Sequence, residues 1–131
     1  MRGGVWIFRP VRRPMPESAR ATITRWAEAH VAKLKHTAIP KMPPKNQNYV
    51  ADVFYEWIRD RFYLCAKYSC PGPNAISPYF IDKFARLEHI GDDRYQLFAM
   101  RHTGQWMPVE RHASLKKCLD SMESGPWFQV V

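Results

Sequence analysis

Proline constrains this chain more than any other residue. Eleven prolines stand among its 131 residues, and nine of them gather in three clusters: Pro10, Pro14 and Pro16; Pro40, Pro43 and Pro44; Pro71, Pro73 and Pro78. Pro108 and Pro126 stand apart. A proline has no amide hydrogen and a fixed φ, so no helix interior and no central strand passes through such a cluster. Regular structure is therefore confined to the stretches between them.

The run Val5-Trp6-Ile7-Phe8 is expected to form a short strand, followed by an extended connector over 9–15 that carries Arg12 and Arg13. From Pro16 onward, Ile23, Trp26, Ala27, His30, Val31 and Leu34 recur at helical spacing, and Glu17 complements the helix dipole in the first turn. The opposite face of that helix holds Arg20, Thr24, Glu28 and Lys35. Residues 37–47, with Lys41 and Lys45, form a semi-rigid loop.

Residues 49–69 fit two patterns. Val50, Val53, Phe54, Trp57, Ile58 and Phe62 match a helical stripe, yet the stretch is dense in the strand formers Val, Tyr, Phe and Trp. Arg59-Asp60 as a turn favours a hairpin with arms near 52–58 and 61–69. Beyond the break at 70–74, strands are expected at 81–90, 95–101 and 106–109. The turns between them are Gly91-Asp92-Asp93 and His102-Thr103-Gly104. Pro108 marks the last strand as an edge or a strand end. Ser114 is an N-cap for a short helix with Leu115, Cys118, Leu119 and Met122 on one face, and Gly125 stops it. The fold class is α+β: an antiparallel sheet of about four or five strands with an N-terminal and a short C-terminal helix packed on one face. The length suits a single domain, 1–131, with 1–16 as a basic strand and connector and 17–131 as the body.

This order resembles a bacterial family described as domain of unknown function 3024, over roughly residues 17–131. The residues carrying the resemblance are Phe84-Ala85-Arg86 leading into Tyr95-Gln96-Leu97-Phe98, then Gly104-Gln105-Trp106, the Leu-rich run 115–122, and Gly125-Pro126-Trp127-Phe128. The resemblance implies a fold and no activity.

Charge is the strongest pointer to function. The formal net charge is +8. Residues 1–45 carry ten basic side chains and two acidic ones, whereas residues 46–131 carry ten of each. A basic third attached to a balanced body points to a polyanionic partner, because fixed cations displace counterions from a phosphate backbone. Arg9, Arg12, Arg13, Arg20, Arg25, Lys41 and Lys45 are the candidate contacts to nucleic acid or a nucleoprotein complex. The alternative is a protein-interaction module, an inhibitor or accessory subunit, docking through Trp6, Phe8 and Trp127. A mimic of the DNA backbone is excluded, since it must be acidic.

Nothing in the pattern specifies catalysis or a cofactor. Cys65 and Cys70 have a finger-type spacing, but no second tight pair completes a zinc site. No nucleophile signature surrounds Cys65, Cys70 or Cys118, and no phosphate-cradling loop is present. If 61–69 is a strand, Cys65 and Phe62 point to opposite faces. An odd cysteine count suits a reducing compartment, and no stretch is apolar enough to span a bilayer, so a cytoplasmic protein is expected.

Overall fold

The structure is a computed structural model and describes residues 11–130. The strand expected at 5–8 lies outside the described residues. A first helix, α1 (Glu17–Ala38), leads into five strands: β1 (Tyr49–Ile58), β2 (Arg61–Ser69), β3 (Tyr79–Gly91), β4 (Arg94–Met100) and β5 (Trp106–Ala113). A second helix, α2 (Leu115–Ser124), and a single 3-10 turn (Pro126–Phe128) close the described chain. The sheet is an antiparallel meander in the order β1-β2-β3-β4-β5. The fold is thus α+β, with five strands and a helix at either end of the sheet region.

Residues 49–69 form the hairpin, with Arg59-Asp60 as its two-residue turn. The competing helical stripe has a structural origin. A register shift between Val50 and Asp52 resets the two-residue alternation, so Val50 and Val53 face the same way although three positions apart. From there Val53, Tyr55 and Trp57 sit opposite Ala66, Leu64 and Phe62, all on the face that meets the helices. Arg59 adopts φ 55°, in the left-handed region that favours glycine.

β5 continues past Pro108 to Ala113, four residues beyond the expected end at 109. As an edge strand it can lack one ladder donor, and two register shifts between β4 and β5 absorb the irregularity.

One core lies between the helices and a single sheet face. Phe62, Leu64, Leu87 and Leu97 supply the sheet side; Ile23 and Ala27 of α1, Cys118 and Met122 of α2, and Phe128 supply the other. The α1 residues expected to face away from the core instead flank β1. The Arg20 guanidinium lies 4.2 Å from the Trp57 ring centre, Trp57 Nε1 donates to Thr24 Oγ1 at 3.1 Å, and Lys35 Nζ is 3.5 Å from Asp52. Trp26 Nε1 donates to Glu123 at 2.7 Å and ties α1 to α2.

Ser114 caps α2 by accepting the Lys117 amide at 3.1 Å. Gly125 ends it, but with an ordinary φ of −72°. The glycine is needed there for space, because a Cβ would collide with the Ser121 carbonyl oxygen that accepts the Gly125 amide.

Candidate nucleic-acid interface

Because both helices pack on one side, no helix among the described residues covers the second face of the sheet. Strand alternation fills that face with aromatic and charged side chains. One row crosses all five strands: Glu56 opposite Tyr63, Tyr63 opposite Arg86, Arg86 opposite Phe98, Phe98 opposite Pro108. Arg86 is central to it. Its guanidinium carbon lies 4.2 Å from the Phe98 ring centre and 4.9 Å from that of Trp106. Lys67 lies 4.3 Å over Tyr79, and Lys83 5.9 Å over Tyr63.

A buried carboxylate holds the guanidinium groups in place. Glu88 Oε2 is 2.6 Å from Arg61 Nε and 3.3 Å from Arg86 Nε, and Glu88 Oε1 accepts from Gln96 Nε2 at 2.8 Å. Burial lowers the Arg86 pKa; Glu88 opposes that shift, while the positive charges of Arg61 and Arg12 add to it. Arg12 is therefore near enough to Arg86 to be felt electrostatically.

That proximity comes from the connector. The Arg13 amide donates to the His89 carbonyl at 2.8 Å, forming an isolated antiparallel bridge beside the end of β3. The His89 ring sits between two carbonyl oxygens, Nδ1 at 3.0 Å from that of Pro14 and Nε2 at 2.7 Å from that of Asp92. The Met15 amide donates to Asp60 Oδ1 at 3.3 Å. The connector is thus laid between β3 and the β1–β2 turn, which brings the exposed Arg12 and Arg13 to the same end of the sheet as Arg59 and Arg61.

The other sequence candidates are dispersed. Arg20 is committed to Trp57, to the Arg59 carbonyl at 2.8 Å and to Asp60 at 4.0 Å. Arg25 is exposed on α1, and Lys41 and Lys45 are exposed in the loop after it. The 22 residues of α1 place that loop about 33 Å from the connector, at a rise of ~1.5 Å per residue. Arg9, Trp6 and Phe8 lie outside the described residues, and Trp127 is exposed on the closing turn. So the basic third is not one patch: Arg12 and Arg13 join the sheet, and Lys41 and Lys45 sit at the far end.

Arg86, Phe98 and Trp106 were not among the sequence candidates. Their signal was weak, because a row across five strands joins residues up to 52 apart in sequence (Glu56 to Pro108), and Trp106 reaches it only from a neighbouring position on β5. Arg59, Arg61 and Lys67 form a visible basic set in the sequence, with Asp60 and Glu56 as the acids that offset it. In the structure Asp60 serves Arg20 and the Met15 amide, Glu56 lies 3.9 Å from Lys83, and Glu88 is the neutralising group.

The cysteines do not converge. Cys65 is buried on the face away from the helices, opposite in direction to Phe62, and burial pushes its thiol up to about 11. Cys118 is buried in the core and pushed up to about 12, while Cys70 is half-buried and all three are free thiols. Among the described residues no three His, Cys, Asp or Glu side chains are placed to share a metal ion, and no helix is long and apolar enough to cross a membrane.

No curated protein and no solved structure matches the chain. A family model described as Domain of unknown function (DUF3024) matches residues 15–129, and the chain belongs to that family.

Proposed function

We propose that this family member binds nucleic acid, through phosphate contacts made chiefly by Arg12, Arg13, Arg59 and Arg61 and without reading sequence. The observation carrying this reading is the docking of the connector beside β3, which sets the exposed Arg12 near the aromatic and basic face of the sheet, with the exposed Arg13 next to it at the same end. Arginine forks pair with phosphate oxygens, and neighbouring aromatic rings offer stacking surfaces to unpaired bases. Arg59 adds support. A residue held at φ 55° in a two-residue turn, where glycine fits with less strain, is a position at which the side chain has a use. Arg25, Lys41 and Lys45 lie too far round the molecule to share the same phosphates and act only on a polyanion long enough to wrap it. The three free cysteines support a cytoplasmic setting, and the family resemblance supports a bacterial one.

The test is fluorescence anisotropy of labelled single- and double-stranded DNA and RNA at several salt concentrations. Arg12→Ala with Arg13→Ala is expected to flatten the slope of log affinity against log salt by about 1.4–1.8, at roughly 0.7–0.9 for each phosphate no longer neutralised. An unchanged slope in the folded double variant refutes the reading. Trp127, 57% exposed, favours a second reading, docking to a protein partner. That reading requires a complex that survives high salt and is abolished in Trp127→Ala.

A further inference from the structure

The first half of β3 is a sheet edge in the middle of the sheet. β3 runs from Tyr79, but its ladder with β4 starts only at Ala85, opposite Ala99. Over 79–83 the strand pairs with β2 on one side and with no strand among the described residues on the other. Its outward amide and carbonyl groups are those of an unpaired edge.

The true edges of the sheet carry devices against further pairing. β5 has Pro108 and two register shifts; β1 has a register shift at its start and α1 side chains along its flank. The half-edge of β3 has no proline within 79–83, and its one register shift with β2 comes only at its inner end, between Lys83 and Ala85. It is instead apolar and exposed: Tyr79 is 49% exposed, Phe80 46% and Ile81 55%, with fully exposed Ile76 just before them. Isolated exposed apolar residues are ordinary, but three in succession along an open strand edge are a template for strand addition.

We propose that this half-edge pairs with the same segment of a second copy of the chain, antiparallel about a two-fold axis at Ile81. The sequence is self-complementary in that register. Ile81 meets Ile81 of the second copy on the helix-free face, and Tyr79 meets Lys83 twice, the ring–ammonium combination that Lys67 and Tyr79 already make within one chain at 4.3 Å. On the other face Phe80 meets Asp82. Like charges never face each other, and an isologous contact closes at the dimer. Five residues of strand per copy cover less surface than a permanent interface of about 1,000 Å² or more needs, so the dimer is reversible and concentration-dependent. It does not depend on nucleic acid.

Sedimentation equilibrium of the full chain, from micromolar to millimolar concentration, reads the dimer directly. Ile81→Lys sets two ammonium groups against each other at the axis and is expected to leave a folded monomer, verified by circular dichroism, because the position is exposed. In a Cys70→Ser background, Ile81→Cys is expected to form a disulfide-linked dimer under mild oxidation. Residues directly opposite in an antiparallel pair have Cα atoms about 4.5–5.5 Å apart, within disulfide range. Tyr79→Cys, displaced from its own copy by four residues, is expected not to cross-link. A wild-type chain that stays monomeric at millimolar concentration overturns the proposal. So does a dimer that persists in folded Ile81→Lys, or cross-linking that is no faster at 81 than at 79.

Discussion

Replacing Glu88 by glutamine separates the two roles that the helix-free face combines. The carboxylate is almost fully buried and makes three polar contacts, to Arg61 at 2.6 Å, Arg86 at 3.3 Å and Gln96 at 2.8 Å. Arg61 is more than a third exposed, so its ion pair contributes at most about 1 kcal/mol. Arg86 has 17% of its side chain exposed and loses the carboxylate that most counters its burial, at a cost of about 1.5–3 kcal/mol. Glutamine can still bond Gln96, so the expected loss is about 3 kcal/mol, or roughly 10 °C in Tm for a chain of this size. The charge effect runs the other way. Without Glu88 the face gains one positive charge, and Arg61 and Arg86 are both free to meet phosphate. Nucleic-acid affinity is expected to rise and the salt slope to steepen by about one. Urea melts followed by tryptophan fluorescence measure the first quantity, and anisotropy at several salt concentrations the second. If Glu88→Gln lowers stability and also lowers affinity, or leaves the slope unchanged, this face does not bind nucleic acid and the ion-pair cluster is structural only.

Three further outcomes are expected. His30 is buried against Trp26, with ring centres 4.8 Å apart and no partner for either nitrogen among the described residues, and burial lowers its pKa from 6.5. The unfolded chain therefore takes up the proton first, so stability holds above pH 6.5 and declines as the pH falls from there toward the folded pKa; urea midpoints at pH 7.5 and 5.5 should show the decline shrinking in His30→Leu. Iodoacetamide at neutral pH is expected to add one label, at Cys70, because Cys65 and Cys118 are fully buried with thiols raised to about 11 and about 12; mass spectrometry showing two or three labels on folded protein contradicts this. Gly125→Ala is expected to lower stability by about 1–3 kcal/mol through collision with the Ser121 carbonyl, despite an ordinary φ, and a neutral urea midpoint contradicts that steric reading.

Much of the fold was legible because its determinants are local. A proline cluster forbids regular structure wherever it stands, a serine before a Leu-rich run caps a helix, and strand formers around a two-residue turn make a hairpin. These effects act within a few residues, so a helix, a sheet of about four or five strands and a closing helix could be read from residues 17–131, with most element limits within a few positions. Where local reading strained, a tertiary cause lay behind it. The helical stripe at 50–58 was a strand alternation reset by a bulge, and β5 outran its proline because an edge strand tolerates one.

The candidate site was legible only in part. The sequence by itself determined that the basic excess lies in the first 45 residues, and it named Arg12 and Arg13. It did not reveal that Lys41 and Lys45 end at the far end of a helix 22 residues long, or that the Phe98 and Trp106 rings both meet the Arg86 guanidinium. Charge and turn chemistry are properties of residues and their neighbours. Which side chains share a surface depends on strand register and on which sheet face the helices bury, and both are settled only when the whole core closes.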